Sequence, residues 1–188
     1  MTAKYSKALI VGSGSGLSAS LARLLAREGF KIALAARNTE KLAPLCESTG
    51  ATAFACDATD TAQVAQLFQD VERKMGDPDV VIYNASARSR GPFISLIASE
   101  VEQAIRTSAF GGFLVAQEAA KRMLAKGHGA ILFTGASASV KGYAQSAPFA
   151  MGKFALRGLA QSMARELAPL GIHVAHFIID GGIRNPGR

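Results

Sequence analysis

The chain has 188 residues, of which 49% are hydrophobic and 19% are charged, and its formal net charge is +7. This length suffices for one domain with a sizeable core, and the composition is ordinary for a globular protein. No run of about eighteen apolar residues occurs, which argues against a transmembrane helix. The basic residues are spread along the chain among acidic ones, which argues against a nucleic-acid groove and predicts mostly solvated helix faces, with one or two basic residues available near a phosphate site.

The N-terminus and the cysteines indicate the compartment. The first seven residues run directly into a short apolar segment that ends at a glycine turn, which is not the pattern of a signal peptide. Cys46 and Cys56 have no second pair of cysteines to accompany them, which predicts reduced thiols. We therefore expect a cytoplasmic protein.

Short apolar runs alternate with helical patterns along the whole chain. The apolar runs predict strands at residues 7–11, 31–35, 52–55, 79–83, 129–134 and 172–178. The patterns between them predict helices at residues 17–28, 39–48, 61–75, about 97–125 and 148–168. Such alternation predicts a three-layer, doubly wound α/β fold, with a parallel sheet and helices on both faces. No repeat or linker divides residues 1–188, so we expect a single domain.

A glycine-rich turn joins the first predicted strand to the first predicted helix. It reads Gly12-Ser13-Gly14-Ser15-Gly16-Leu17-Ser18. Glycine lets the backbone turn sharply and approach a pyrophosphate without a Cβ in the way. The following helix N-terminus offers free N–H groups and a positive dipole end to the anion. A plain strand-to-helix turn is the alternative, but the position in the first βα unit favours a dinucleotide site on a Rossmann fold.

The end of the second predicted strand indicates which dinucleotide binds. NAD-selective sites have an acidic residue here for the ribose 2′-hydroxyl, and NADP sites have a basic one near the 2′-phosphate. This chain has Ala36 followed by Arg37. The planar fork of donors in arginine suits a phosphate. We therefore predict NADP(H) as the cofactor, with an ordinary surface arginine as the alternative.

Over essentially its whole length, the chain resembles the short-chain dehydrogenase/reductase family. The Gly12-x-x-x-Gly16 spacing is similar to the family's GxxxGxG turn, with Ser18 in place of the third glycine. Three later segments resemble family motifs in the expected order: Asp57-Ala58, Asn84-Ala85-Ser86, and the turn of residues 180–185 that embraces the nicotinamide. The resemblance implies a cofactor site formed by Gly12, Ser13, Ser15, Gly16, Leu17, Arg37, Asp57, Ala58, Asn84, Ala85, Ser86, Lys153, Ile183 and Asn185.

The family's catalytic group consists of Asn, Ser, Tyr and Lys, the last two in a YxxxK motif. The resemblance implies that the tyrosine phenol exchanges a proton with the substrate while a hydride moves, and that the lysine lowers the phenol pKa and holds the ribose. Here Lys153 occupies the lysine position, but Phe149 stands at the tyrosine position. Ala136, with Ser137 adjacent, stands at the serine position, and Ser108 stands at the asparagine position.

These substitutions leave two interpretations open. In the first, the protein is an NADP(H)-dependent oxidoreductase that acts on a carbonyl or hydroxyl substrate with an altered catalytic group of Lys153, Ser137, Ser108 and Tyr143. In this group Tyr143 supplies a phenol from the loop before Phe149, although an aromatic wall of the pocket is the favoured role for its ring. In the second, it is an NADP(H)-binding pseudoenzyme with a sensor or assembly role. A third and remote interpretation is a nucleic-acid-binding protein. The sequence shows no spacing of residues that is typical of a metal site.

The resemblance also carries expectations about the end of the chain and its partners. The family continues into a substrate-binding loop, a helix and a seventh strand, whereas this sequence stops at Arg188, where that loop begins. We therefore expect a longer polypeptide or a truncated form. The predicted helices 97–125 and 148–168 correspond to those that the family packs between subunits, which implies a homodimer or homotetramer. A small carbonyl or alcohol is the expected substrate, and no nucleic acid or membrane is expected as a partner.

Overall fold

Six parallel strands form one sheet in the computed structural model, which describes residues 5–183. The strands are Lys7–Val11 (β1), Lys31–Ala36 (β2), Thr52–Ala55 (β3), Val80–Tyr83 (β4), Gly129–Thr134 (β5) and Ile172–Phe177 (β6). Their order across the sheet is β3-β2-β1-β4-β5-β6. This order reverses direction between β1 and β4, as in the doubly wound nucleotide-binding folds. The predicted fold class is confirmed.

Helices cover both faces of the sheet. They are Leu17–Arg27 (α1), Ala43–Thr49 (α2), Thr61–Met75 (α3), Ala98–Ile105 (α4), Gly111–Lys126 (α5) and Ala147–Leu167 (α6). Successive residues of β1 enter opposite cores: Leu9 packs with α3, α5 and α6, whereas Ile10 packs with α1 and α2. This two-sided burial explains why the strands are apolar without alternation. Within residues 5–183, no helix combines the length and apolarity needed to cross a membrane.

The structure departs from the predicted helix 39–48 at its first turn. A 3-10 turn covers Glu40–Leu42, and α2 begins only at Ala43. Pro44 lies in the first turn of α2. Because proline has no N–H and clashes with the preceding turn, it is accepted at a helix start and not inside a helix.

A wide turn also interrupts the predicted helix 97–125. A π turn at Arg106–Phe110 connects α4 to α5. The two glycines that follow lie very close to the sheet and to α6, since a Cβ on Gly111 would be 2.4 Å from the Tyr83 hydroxyl and one on Gly112 would be 2.6 Å from Leu156. π turns within α-helices occur frequently at functional sites. This one directs the side chain of Ser108 into the interior, where it is fully buried.

Candidate functional site

A cleft of about 340 Å³ opens at the carboxyl edge of the sheet, where the strand order reverses. Ligands of doubly wound folds bind at this switch point. The turns after β1, β2, β3 and β4 form the walls of the cleft. Eight of the predicted cofactor residues line it: Gly12, Ser13, Arg37, Asp57, Ala58, Asn84, Ala85 and Ser86.

The turn after β1 packs against the end of β2 and against the turn after β4. The backbone N–H groups of Gly12 and Ser13 both donate to the carbonyl of Ala35, at 3.0 Å. Gly12 has φ +83°, and a Cβ at this position would lie 2.3 Å from the backbone nitrogen of Ala85. Only glycine fits such a backbone conformation and such a close approach. The glycine therefore brings the first and fourth turns of the cleft into contact.

Ser18, in the first turn of α1, connects the same two turns. Its side chain is buried, and its Oγ donates to the carbonyl of Gly12 at 3.2 Å. The same Oγ accepts a hydrogen bond from Nδ2 of Asn84 at 2.7 Å. Sequence reasoning identified Ser18 only as a departure from a motif. In the structure it fixes the Asn84 side chain beside the phosphate turn.

The start of α1 suits a bound anion. Within the described residues, no side chain caps this helix at Gly16, and its first turn has no acidic residue. The N–H groups of such a helix end favour a negative charge. Ser15, Gly16 and Leu17 lie at this helix start and not in the lining of the cleft.

Arg37 and Asp57 lie on the opposite wall. Arg37 is exposed at the end of β2, with Asn38 beside it in the lining. The carboxylate of Asp57 accepts hydrogen bonds from the backbone N–H and the hydroxyl of Thr59, at 2.9 and 2.8 Å. Sequence reasoning missed Asn38 and Thr59, although both directly flank predicted residues. It also missed Thr107, which only the π turn brings to the cleft.

Lys153 is almost wholly buried on α6, with 3% of its surface exposed. Its Nζ donates to the carbonyl of Thr134 at 2.7 Å and lies 5.7 Å from the centre of the Phe149 ring. Burial, and secondly the positive charge of Arg88, lower the pKa of Lys153 to about 8. The amine is therefore still protonated at neutral pH but is a stronger acid than an exposed lysine.

Phe149 is also covered by Arg88, which sequence reasoning missed. The guanidinium carbon of Arg88 lies 4.1 Å from the centre of the buried Phe149 ring, which is a close cation–π contact. Arg88 follows Asn84-Ala85-Ser86 along the chain, and no local pattern links it to a residue on α6. The Phe149 ring thus contacts two positive side chains.

The other proposed catalytic residues are less centrally placed. Oγ of Ser108 accepts a hydrogen bond from the backbone N–H of Ala87 at 3.3 Å, and Ser108 packs against Gly152. Ser137 begins a 3-10 turn and donates its backbone N–H to Ile179 at 3.0 Å. Tyr143 is 42% exposed, and Nζ of Lys141 lies 5.1 Å from its ring centre. Ser108 therefore adjoins the helical turn of Lys153, whereas Tyr143 faces solvent. Ile183 is exposed at the end of the described residues, and Asn185 lies outside them.

The buried charge of Lys153 predicts a pH-dependent stability. The pKa of Lys153 is near 10.5 in the unfolded chain and about 8 in the folded chain. Between these pH values the unfolded chain binds more protons, so the free energy of unfolding rises with pH. A Lys153→Met variant lacks this dependence. We expect its free energy of unfolding at pH 7 to exceed that of wild type by about 3 kcal/mol, a difference that shrinks as the pH rises from about 8 to 10.5. Urea unfolding of both proteins across this range measures the difference.

Lys74→Met is the matched control, because Lys74 is exposed in the last turn of α3 and its ammonium stays in solvent in both states. Its difference from wild type measures the effect of replacing a solvent-exposed lysine by methionine. If the difference in unfolding free energy between Lys153→Met and wild type did not change with pH, burial of the Lys153 charge would not destabilise the fold.

The strand order and the cleft at its switch point define a Rossmann-type protein, with the glycine turn placed as in dinucleotide-binding folds. The family model described as short chain dehydrogenase matches residues 6–184. The chain therefore belongs to the short-chain dehydrogenase family, which is a family of oxidoreductases.

Known relatives agree with this family. The chain is 37% identical to a short-chain dehydrogenase from Rhodopseudomonas palustris, with a TM-score of 0.88 over 94% of this chain and 85% of that one. It is 32% identical to a gluconate 5-dehydrogenase from Burkholderia cenocepacia solved with NADP and tartrate, with a TM-score of 0.87 over 93% and 71%. The 3-oxoacyl-[acyl-carrier-protein] reductase MabA of Mycobacterium avium is 30% identical over 93% of this chain and 66% of that protein. The chain thus spans about two thirds of the length of such curated relatives.

Proposed function

We propose that this protein is an NADP(H)-dependent oxidoreductase that acts on a carbonyl or hydroxyl group of a small molecule, with an altered catalytic group. The observation that carries the proposal is the position of Arg37 on the wall of the dinucleotide cleft, where an NAD-selective site would have a carboxylate. The solved relative from Burkholderia cenocepacia, which contains NADP, supports the same cofactor class.

The described residues suit such a cofactor. The turn at Gly12 has no room for a Cβ, and the start of α1 offers N–H groups to a pyrophosphate. Arg37 is the residue that we assign to the 2′-phosphate, and Asp57 and Asn84 line the same cleft. A bound NADP(H) would supply the hydride that is exchanged with the substrate carbon. The protein's part is to hold the cofactor and the substrate in line and to supply a proton.

Lys153 is the proton source that we assign within the altered catalytic group. Phe149 has no ionisable proton, and Tyr143 lies in an exposed loop. The Lys153 ammonium is buried, donates to the carbonyl of Thr134, and has a pKa lowered to about 8, which makes it a stronger acid than an exposed lysine. Ser108 and Ser137 position the surrounding loops.

A second candidate function rests on Phe149 itself. The side chain that carries the family's phenol is here a buried hydrocarbon ring that contacts Arg88 and Lys153. A protein that keeps the cofactor cleft and lacks this phenol also fits an NADP(H)-binding pseudoenzyme with a sensor or assembly role. Turnover separates the two functions.

The experiment is a fluorescence titration of the purified protein with NADPH and with NADH, followed by NADPH turnover with a panel of ketones and aldehydes. We expect NADPH to bind at least about tenfold more tightly than NADH, because a charge-assisted contact to the 2′-phosphate is lost with NADH. Measurable turnover supports the oxidoreductase, and tight binding without turnover supports the pseudoenzyme. Equal affinities would overturn the NADP assignment.

We further propose that residues 1–188 form one domain whose substrate-binding loop and last strand lie beyond this sequence. Among the described residues, β6 pairs only with β5, so its other edge is open to a seventh strand. The match to about two thirds of longer relatives supports this proposal. A cytoplasmic location is proposed on Cys46 and Cys56, which are both free thiols.

An apolar groove between α5 and α6 supports the proposed homodimer or homotetramer. Phe113, Leu124, Leu159 and Met163 line it. We expect Ala120→Arg, which places a charge in this groove, to shift the protein to monomers, because a desolvated charge without a partner opposes association. Sedimentation velocity checks this shift, with Ala62→Arg on the exposed face of α3 as the control. Unchanged sedimentation of Ala120→Arg would rule out this interface.

A further inference from the structure

The loop that follows β5 is held against β6. It covers residues 135–140 and is named the β5 loop. The backbone N–H of Gly135 donates to the carbonyl of Phe177 at 2.8 Å, and that of Ser137 donates to the carbonyl of Ile179 at 3.0 Å. The β5 loop therefore continues the pairing of β5 with β6, and it carries Ser137 of the proposed catalytic group.

The first of these bonds involves the same peptide group as the contact of Lys153. Nζ of Lys153 donates to the carbonyl of Thr134, and the N–H of the peptide that joins Thr134 to Gly135 donates to Phe177. A peptide group is planar, so its carbonyl and its N–H turn together. Any rotation that takes this N–H away from β6 therefore also takes the acceptor away from Lys153.

One side-chain contact adds to the backbone pairing. Oγ of Ser139 lies 3.4 Å from Nε2 of His176, and it accepts a hydrogen bond from the backbone N–H of Ala136 at 3.1 Å. Ser139 is fully buried, so its hydroxyl hydrogen needs an acceptor within the protein. An imidazole with an unprotonated Nε2 supplies that acceptor. The contact between the β5 loop and β6 is therefore complete only when His176 is neutral.

The His176 ring also packs against the start of the β5 loop. A Cβ on Gly135 would lie 2.2 Å from Cε1 of His176, so the ring occupies the space beside this backbone. The ring is half-buried and lines an open groove of about 290 Å³ together with Arg157 and Gln161. His176 thus supports the β5 loop and can still exchange a proton with solvent.

The charges that face His176 are positive. Lys153 and Arg157 lie one turn apart on α6, and β5 with the β5 loop has no titratable side chain between Gly129 and Val140. Burial, and then the charges of Lys153 and Arg157, lower the pKa of His176, while a contact with its own backbone opposes this shift. The ring is therefore neutral near pH 7.

We propose that His176 is a positioning residue of the altered catalytic group, because its neutral ring holds the β5 loop and, through it, the carbonyl that receives the Lys153 ammonium. The proposal rests on the oxidoreductase function proposed above, although the contacts that carry it do not involve the cofactor. Protonation of His176 makes Nε2 a donor, leaves the Ser139 hydroxyl hydrogen without this acceptor, and adds a charge beside two cations. The β5 loop therefore loosens in acid.

Hydrogen exchange of the β5 loop amides tests the contact, measured by NMR on the unliganded protein from about pH 8 down to about pH 5. We expect the protection factors of Ala136 and Ser137 to fall by about tenfold as His176 is protonated, since the hydrogen bond that fixes Ser139 is lost. The amides of β1 serve as the reference, because they exchange only when the whole domain opens.

Three variants assign the effect to the ring. His176→Gln keeps an acceptor for Ser139 and does not titrate, so it should retain protection within about twofold at all pH values. His176→Phe keeps a ring without an acceptor and should lose about tenfold in protection already at neutral pH. His173→Gln is the matched control, since His173 is an exposed histidine on the same strand, and it should behave as wild type.

A second measurement distinguishes positioning of Lys153 from mere support of the loop. The pKa of Lys153 is followed through its side-chain nitrogen resonance in the same proteins. In His176→Phe we expect this pKa to fall below the wild-type value of about 8, because the ammonium loses the Thr134 carbonyl that stabilises its charged form. In His176→Gln it should stay unchanged.

The outcomes separate this proposal from the proposed function. Unchanged loop protection in His176→Phe, or an acid-induced loss that persists in His176→Gln, would overturn the contact. A loosened loop with an unchanged pKa of Lys153 would make His176 a structural residue only and overturn the positioning role. If His176→Phe does not fold, the pH series of wild type and His176→Gln still decides. None of these measurements uses NADPH, so a failure of NADPH to bind would contradict the proposed function alone.

Discussion

Replacing Arg37 by aspartate is expected to weaken NADPH binding by about 100-fold while NADH binding holds or improves. The substitution removes charge-assisted hydrogen bonds to the 2′-phosphate, which contribute roughly 1.5–3 kcal/mol each. It also places a carboxylate where NAD-selective sites use one to accept from the ribose 2′-hydroxyl. Arg37 is exposed at the end of β2, so we expect the substitution to leave the fold intact. Fluorescence titrations with the two cofactors give the ratio of affinities directly.

Lys31→Asp is the control for this experiment. Lys31 is exposed at the other end of the same strand, so its replacement makes the same change in charge at the edge of the sheet remote from the cleft. We expect its NADPH affinity to fall by less than about threefold, through long-range electrostatics alone. A similar loss in both variants would mean that net charge, and not a contact at Arg37, governs cofactor binding.

Replacing Phe149 by tyrosine is expected to raise kcat for carbonyl reduction by about 100-fold. A positioned general acid contributes typically 10²–10⁴-fold. The new phenol would lie beside Lys153 and Arg88, whose positive charges favour its ionised form and so lower its pKa towards neutrality. The phenol then exchanges protons more readily than the lysine does alone. Steady-state NADPH oxidation with the same panel of ketones and aldehydes measures the gain.

Two further variants define what a gain would mean. Phe154→Tyr adds a phenol to an exposed position on the same helix and should leave kcat unchanged. Phe149→Tyr combined with Ala136→Ser restores both of the family's hydroxyls and should exceed the single variant. If neither Phe149 variant is more active than wild type, the missing phenol is not what limits turnover, and proton delivery by Lys153 or solvent is already sufficient.

The sequence by itself determined the features that depend on neighbouring residues. The short apolar runs predicted the bounds of all six strands to within about one residue. The glycine run after β1 predicted the phosphate turn, because the conformation of a tight turn depends largely on its own residues. The parallel sheet followed from the alternation of these elements. The cofactor side of the cleft followed in turn, since it consists of the residues directly after the carboxyl ends of the strands.

Only the tertiary structure decided the contacts between residues distant in the chain. Ser18 and Asn84 are 66 residues apart and share one hydrogen bond. The π turn that buries Ser108 depends on how closely Gly111 and Gly112 pack against β4 and α6. Arg88 meets Phe149 only because β4 and α6 converge on the same edge of the sheet. Such side-chain pairs leave no periodic signal, because burial and distance, which the fold alone sets, select them.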